Sequence, residues 1–330
     1  MNTQKINQLI SSSTFDNAFT VLDNFVFINL DWLTNRDYQS QGVNELIYIS
    51  GQYKDYIFVF LIRDGVNCRI TGLDYIIRTI VTNLNLTENT CYIYGYDDLE
   101  IANTTYIKLD VVQMWCSLIY KQLHDYTLDD VKFTKKFAAL FGRHDLYRLK
   151  IFKYLKENYN SDSILSYNSN KAHWNQRFGD QFAQDQTWYH ANCPCTLDFT
   201  DCAGWVPYQH SLEKIVNHAA DYFIEIACET DIYSNKFFTE KSLKNFYLGK
   251  PFILMSGQHS LDQLHSHGFQ TFSPWIDESY DKIACPKSRL DAILIEIDKI
   301  ANYSFETISQ IHAEMMPTFE HNRKNFLKFV

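Results

Sequence analysis

Short apolar runs rich in β-branched and aromatic residues recur along this chain, and segments with helical spacing separate them. Strands that are apolar at nearly every position are typical of a sheet buried on both faces. Between them, 73–80 and 111–123 repeat apolar side chains at the spacing of an amphipathic helix. The alternation of the two patterns predicts an α/β fold. In the first 130 residues the predicted strands are 24–30, 46–50, 56–62, 91–96 and 106–109.

Composition limits the class of protein further. The chain has 330 residues, of which 46% are hydrophobic and 16% aromatic, so it is too apolar to be disordered and long enough for two domains. Its 39 acidic and 30 basic residues give a formal net charge of −9, which argues against nucleic acid as a partner. No apolar stretch approaches the roughly 18 to 20 residues that span a bilayer. Because residues 1–13 also lack the apolar core of a secretory signal, we expect a cytoplasmic protein without a transmembrane segment.

A shift in charge marks the expected domain boundary. From Lys132 onward the chain becomes more basic, and we place the boundary near Asp129-Asp130. Residues 1–130 are expected to form an N-terminal α/β domain and residues 131–304 a second α/β domain, with a cleft between the two. An amphipathic helix within 305–330 is expected to return toward the N-terminal domain.

Local signals in the second domain predict where its helices begin and end. Thr239 is placed to N-cap one helix, and Gly249 to end it in a left-handed conformation. Ser260 and Gln263 form a capping box for another. The predicted helices are 145–157, 240–248 and 260–268, and the predicted strands are 137–141, 164–167, 221–228, 251–255 and 269–272.

Glu240 and Lys241 occupy the first turn of the helix that Thr239 begins. A helix start offers free N–H groups and the positive end of a dipole, which favour an anionic ligand such as a diphosphate. Lys241 adds a positive charge there, and the Glu240 carboxylate can accept hydrogen bonds from paired ribose hydroxyls. In the alternative interpretation, Thr239 and Glu240 only cap the helix and Lys241 is solvated.

The region 237–281 resembles the donor-binding half of glycosyltransferases. The resemblance rests on the segments Phe238-Thr239-Glu240-Lys241, Leu248-Gly249-Lys250-Pro251-Phe252-Ile253, Gly268-Phe269-Gln270-Thr271-Phe272 and Ile276-Asp277-Glu278-Ser279-Tyr280-Asp281. The first segment is similar to the Glu-Lys motif of α-1,3-fucosyltransferases (family 10) and of glycosyltransferase-like proteins from large phages and viruses. The resemblance covers roughly residues 137–325 and does not extend into the first 130 residues.

This resemblance implies an enzyme of the GT-B type, with two Rossmann-like domains facing a cleft and no metal requirement. It makes Glu240 the ribose ligand, Lys241 a diphosphate ligand, and Arg143, at the head of the preceding α/β unit, a second phosphate clamp. Two cations and a helix N-terminus can stabilise a departing diphosphate without a metal ion, and no Asp-X-Asp metal motif stands out in the sequence. The residues after Lys241 are larger than those of true fucosyltransferases, so the base and the sugar of the donor stay open.

Acidic residues at strand ends supply the remaining candidates. Glu229 follows the predicted strand 221–228, where open α/β sheets bind ligands; it either contacts the donor or is a structural carboxylate. An inverting transferase also needs a general base for the acceptor hydroxyl, which we expect from the N-terminal domain. Asp31 and Asp97, each directly after an apolar strand, are the candidates for that base.

A group of cysteines and histidines invites comparison with a zinc site. The residues concerned are His190, Cys193, Cys195, Cys202 and His210. Their spacing is irregular and lacks the paired Cys-X-X-Cys knuckles of structural zinc sites. We therefore expect neither a metal nor another cofactor, and interpret most cysteines as small buried apolar residues.

The leading hypothesis is a glycosyltransferase that moves a hexosyl or fucosyl group from a nucleotide-sugar donor to a hydroxyl acceptor, such as a glycan. A phage-type transferase that glycosylates nucleic acid is one alternative, and the net charge of −9 weighs against it. A non-catalytic relative that binds sugar nucleotides or has a structural role is the other. The presence of Glu240, Lys241 and Arg143 weighs against that alternative.

Overall fold

The computed structural model describes most of the chain. The described residues are 2–12, 19–30, 48, 50–53, 55–62, 73–95, 101–126, 131–142, 145–167, 183–195, 212, 216 and 218–330. The chain divides into two compact units, Met1–Val111 and Val112–Val330. The boundary expected at Asp129-Asp130 lies outside the described residues.

The first unit contains a sheet in the strand order β1-β2-β3-β4-β5. Strand β1 is antiparallel to β2, and the other neighbours are parallel. The strand predicted over 46–50 is wrong where it can be compared, because Tyr48 and Ser50 are helical. An apolar run this short is compatible with either a strand or a helix. In chain order the elements are α1 (Asn2–Ser12), β1 (Phe19–Leu22), β2 (Phe25–Asn29), β3 (Ile57–Ile62), α2 (Leu73–Asn83), β4 (Cys91–Gly95) and β5 (Thr105–Lys108).

Alternate residues of the central strands build the core of the first unit. Phe25 and Phe27 of β2 and Val59 and Leu61 of β3 share one face of the sheet, and Ile6 of α1 packs against them. Residues two apart in a strand point to the same face, so one side of each strand meets α1. The other side is also buried: β2 is buried at all of its five positions, as expected for a sheet covered on both faces.

The second unit contains a parallel sheet in the strand order β7-β6-β8-β9. Helix α3 begins at the boundary between the units. In chain order the elements are α3 (Val111–Leu123), β6 (Lys135–Phe141), α4 (Leu146–Asn158), β7 (Ser163–Tyr167), α5 (Ala183–Asn192), β8 (Tyr222–Cys228), α6 (Glu240–Leu248), β9 (Phe252–Met255), α7 (Ser260–Ser266), α8 (Pro286–Ala301) and α9 (Phe305–Phe326).

The strand order reverses between β6 and β8. The chain leaves β6 toward β7 on one side, and then returns to place β8 on the other side of β6. Lys135 is paired with Tyr222 and Ala138 with Glu225, so the carboxyl ends of β6 and β8 are level with each other. Open α/β sheets bind ligands in the crevice at such a switch point. In the first unit the described parallel strands follow one another in chain order, without a reversal.

The C-terminal helix packs against the helix that carries the candidate motif. The rings of Tyr247 in α6 and Phe326 in α9 lie 5.2 Å apart. Beyond α9, the carbonyl of Phe329 accepts a hydrogen bond from the Ser117 hydroxyl of α3 at 3.1 Å. Helix α6 thus contacts α9, and α3 contacts the residues that follow α9, within the second unit.

Two local predictions in this unit are wrong. Residues 269–272 are not a strand; the Asn322 side chain exchanges two hydrogen bonds of 2.8 Å with the backbone of Gln270 and takes the place of a strand partner. Ser260 begins α7 rather than capping it, because its hydroxyl donates to the Gly257 carbonyl at 2.8 Å. The Asp281 carboxylate, 20 residues away, instead accepts from the Leu261 N–H at 3.1 Å.

The α/β class predicted from the alternation of strands and helices is confirmed, and parallel pairing dominates both sheets. Among the helices that the structure describes, none combines the length and the apolar character needed to cross a bilayer.

Candidate functional site

The candidate motif lies where β8 leads into α6. Thr239 is the N-cap of α6, with its side chain accepting from the Lys241 N–H, and Gly249 ends the helix in the left-handed conformation. Both ends were predicted from the sequence. The structure therefore brings Glu229, at the carboxyl end of β8, together with Thr239, Glu240 and Lys241 at the start of α6.

Glu229 is completely buried and its carboxylate holds the loop and the helix start together. One oxygen, Oε1, accepts from the Thr239 N–H at 3.0 Å and from the Ser242 hydroxyl at 2.7 Å. The other, Oε2, accepts from the Thr239 hydroxyl at 2.6 Å. Three protein donors thus use the carboxylate, which agrees with the structural interpretation of this residue.

Lys241 and Glu240 form an ion pair in the first turn of α6, next to the Glu229 carboxylate. The Lys241 ammonium lies 3.0 Å from Glu240 Oε1, 2.9 Å from the Thr239 hydroxyl and 4.0 Å from Glu229 Oε2. Burial alone would raise the pKa of Glu240, but the Lys241 ammonium and hydrogen bonding hold it below its ordinary value, so Glu240 is ionised. The second oxygen of Glu240, Oε2, is buried and has no hydrogen-bond partner among the residues that the structure describes. An unsatisfied anionic oxygen is costly, and Oε2 keeps the capacity to accept a hydrogen bond if the side chain turns toward solvent.

Arg148 is a basic residue at the switch point that the sequence analysis did not select. It lies in the first turn of α4, only 1% exposed, and its guanidinium donates to the Cys228 carbonyl at 3.2 and 2.9 Å and to the Thr230 hydroxyl at 3.2 Å. Asp145 caps the same helix by accepting from two backbone N–H groups. A buried guanidinium held by neutral oxygens contributes positive charge next to Glu229, and no carboxylate of the described residues forms an ion pair with it. The signal in the sequence was an arginine among the apolar positions of a predicted helix.

A second ion pair lies deeper in the same unit. Glu225, in the middle of β8, and Lys244 of α6 are both buried, and the Lys244 Nζ lies 2.5 Å from Glu225 Oε1. The Tyr222 hydroxyl donates to the other oxygen of Glu225 at 3.2 Å, and Lys244 also donates to the Lys241 carbonyl at 3.0 Å. The pair fixes α6 on the sheet beneath the candidate motif. A glutamate inside an apolar strand run could have indicated a buried partner.

Lys250 is buried, and no carboxylate in the described part of the chain lies within hydrogen-bond distance of its ammonium. It donates to the Tyr222 carbonyl, and its ammonium lies 5.0 Å from the centre of the Phe133 ring and 4.6 Å from that of Tyr222. Burial lowers the pKa of Lys250 to about 7, although the Glu225 and Asp221 carboxylates act in the opposite direction.

The acidic segment after Trp275 packs against the end of β9. Tyr280 accepts a hydrogen bond from the Leu254 N–H at 3.2 Å. Burial raises the pKa of Glu278 to about 7, and its oxygens accept from the Thr271 hydroxyl and the Phe272 N–H at 2.7 Å. Nearby, ligand atoms of His259, Asp262 and Asp281 lie within 4.8 Å of one another, close enough to hold a cation. All three already have protein partners: Asp281 caps α7, and Asp262 and His259 bind each other at 2.8 Å.

Several predicted site residues lie outside the described residues. They are Arg143 and the two candidate bases, Asp31 and Asp97. Cys202 and His210 of the candidate zinc group also lie outside them. Of the remaining members, Cys193 is a buried free cysteine, and burial raises the pKa of its thiol to about 12.

Comparison of the chain with protein-family models, with curated proteins and with solved structures found no match.

Proposed function

We propose that the protein is a glycosyltransferase that moves a sugar from a nucleotide-sugar donor to a hydroxyl acceptor, with a glycan as the expected acceptor. The observation that carries the proposal is the Glu240–Lys241 pair at the start of α6, beside the switch point of a parallel sheet. Helix starts bind anions, and switch points of open α/β sheets bind ligands. The two features coincide here.

The chemistry of the pair suits the two ends of a nucleoside diphosphate. A diphosphate at the helix start would exchange the contact of the Lys241 ammonium with Glu240 for one with a phosphate oxygen. The unpartnered Oε2 of Glu240 would then accept a ribose hydroxyl. Arg148 adds a fixed positive charge at the end of β8, where negative charge on the leaving diphosphate develops.

The GT-B arrangement belongs to the same proposal. In it, the second unit holds the donor, the first unit holds the acceptor, and a carboxylate of the first unit, Asp31 or Asp97, removes the proton from the attacking hydroxyl. The reaction inverts the anomeric centre, because the hydroxyl attacks from the face opposite the diphosphate. Lys241, Arg143 and the helix N–H groups replace a metal ion in stabilising the leaving group.

A thermal-shift screen tests this function directly. A ligand that binds only the folded protein raises its Tm, so UDP-, GDP-, CMP- and dTDP-linked sugars are compared with the corresponding nucleoside monophosphates. We expect one class of nucleotide-sugar to raise the Tm of the protein. The corresponding monosaccharide, added without a nucleotide, should leave the Tm unchanged. The responding donor is then incubated with the protein and a panel of glycans, and release of the nucleotide is measured. A protein stabilised by none of these donors would contradict the proposal.

A further inference from the structure

The loop between β8 and α6 is closed at its base and fixed along its length. The two hydrogen bonds from Thr239 to Glu229 join its ends. Within the loop, the Asp231 carboxylate accepts from the N–H groups of Tyr233 and Ser234 at 2.9 and 3.2 Å. The backbone of Ser234 packs so closely on Gly257 that a Cβ there would lie 2.3 Å from the Ser234 carbonyl carbon. The backbone that carries Tyr233 is therefore held in one conformation.

Tyr233 differs from the other apolar side chains of this loop. Ile232, Phe237 and Phe238 are 4%, 0% and 0% exposed, so they anchor the loop to the core. Tyr233 is 62% exposed, and its side chain makes no hydrogen bond or ring contact with any residue that the structure describes. The rigid loop keeps this ring in contact with water. A ligand that packs on the ring would bury aromatic surface, which favours binding.

The position of this ring relates it to the switch point. Tyr233 lies four residues after Glu229 and six before Thr239, the two residues that join β8 to α6. Burial raises the pKa of Tyr147, and the Tyr233 hydroxyl raises it further, so Tyr233 lies within electrostatic range of the first turn of α4. That turn also carries Arg148. The exposed ring therefore belongs to the loop that leaves the carboxyl end of β8, on the side of the sheet where α4 begins.

We propose that Tyr233 is the surface on which the base of the donor nucleotide stacks. The inference rests on the proposed function and refines it, because it assigns recognition of the base to one named side chain outside the Glu240–Lys241 pair. Stacking on an aromatic ring tolerates every base, since each has a π-face. Tyr233 therefore contributes affinity for nucleotides in general, and the choice between bases falls to other residues.

Titration calorimetry tests the proposal with UDP, GDP, dTDP and CMP, with a sugar-linked form of each, such as UDP-glucose and GDP-fucose, and with inorganic pyrophosphate. The wild type is compared with Tyr233→Ala, with Tyr233→Phe, which keeps the ring, and with Ile295→Ala, which removes a 70% exposed side chain from α8. We expect Tyr233→Ala to weaken binding of the preferred nucleoside diphosphate about five- to a hundredfold. Affinity for pyrophosphate should not change, and Tyr233→Phe and Ile295→Ala should bind like the wild type.

The outcomes separate this inference from the function on which it rests. If the wild type binds a nucleoside diphosphate and Tyr233→Ala binds it equally well, the stacking role is wrong and the glycosyltransferase proposal stands. If Tyr233→Ala loses as much affinity for pyrophosphate as for the nucleoside diphosphate, the ring contributes to phosphate binding or to the conformation of the loop. The assignment of the ring to the base is wrong in that case too. A loss confined to the nucleotide-sugars, with UDP and GDP unaffected, would assign the ring to the sugar and overturn the proposal. If the wild type binds none of the probes, both fail.

Discussion

Glu229 and Thr239 are ten residues apart in the chain and are joined by two hydrogen bonds, from the backbone N–H and from the hydroxyl of Thr239 to the two oxygens of one buried carboxylate. The same carboxylate accepts from the Ser242 hydroxyl. The end of β8 and the start of α6 therefore form one unit, and the helix N-terminus that carries Glu240 and Lys241 is fixed relative to the sheet.

Replacing Glu229 by alanine should destabilise the protein strongly. The change leaves three donors without their acceptor in a completely buried site, and we expect a loss on the order of 3 kcal/mol in the free energy of unfolding. Urea unfolding measures it. Glu306→Ala, which removes an exposed glutamate from the first turn of α9, is the control. A loss no larger than that of the control would show that Glu229 does not organise this helix start.

The buried ion pair between Glu225 and Lys244 should show strong coupling in a double-mutant cycle. Removing either partner leaves an unpaired buried charge, so Glu225→Leu and Lys244→Met should each cost on the order of 3 kcal/mol. The double variant should be less destabilised than the sum of the two, because it leaves no isolated charge. Additive effects of the single changes would contradict the pairing.

The buried ammonium of Lys250 should make stability depend on pH. Its pKa in the folded protein is about 7, below the ordinary value of 10.5, so between these values the unfolded chain binds more protons. The free energy of unfolding should therefore rise with pH across this window, and the cost of burying the charge should be largest below about pH 7.

The variant Lys250→Met isolates this contribution. Its stability relative to the wild type should be greatest near pH 6 and should decline as the pH rises toward about 10. Urea unfolding of both proteins across this range measures the difference at each pH. A difference that does not vary with pH would mean that Lys250 keeps its ordinary pKa.

Transfer activity should not need a divalent cation. In the proposed function, Lys241, Arg143 and helix N–H groups stabilise the leaving diphosphate, so EDTA treatment should leave the rate of nucleotide release unchanged. The assay is run after EDTA treatment, with and without added Mn²⁺ or Mg²⁺. A strict requirement for either ion would overturn this part of the proposal and direct attention to His259, Asp262 and Asp281.

Features set by neighbouring residues were predictable from the sequence, and those set by distant residues were not. The bounds of α6 follow from Thr239 and Gly249, because cap residues act within one helical turn. The end of α7 nearest Ser260 was mispredicted because its cap comes from Asp281, far along the chain. Likewise, 269–272 is not a strand, because the backbone of Gln270 pairs with the side chain of Asn322, an arrangement without a local signal.

The candidate site shows the same division. Thr239, Glu240 and Lys241 were selected because they are consecutive in a recognisable helix start. Arg148 was missed because its importance depends on the pairing of β6 with β8, which brings α4 to the end of β8. The spacing of residues along the sequence does not indicate which strands pair.

The most direct test of the account is the affinity of Lys241→Ala for the nucleoside diphosphate of the preferred donor. The Lys241 side chain is 21% exposed and pairs chiefly with Glu240, whose side chain is 15% exposed, so its loss should lower the free energy of unfolding by on the order of 1 to 2 kcal/mol and leave the protein folded. Loss of a charge-assisted contact with the diphosphate should weaken binding roughly ten- to a hundredfold. Lys324→Ala, which removes an exposed lysine from α9, is the matched control and should bind like the wild type. Calorimetry on the folded proteins should therefore show this weakening in Lys241→Ala alone; equal affinities in all three would contradict the assignment of the donor site to the start of α6.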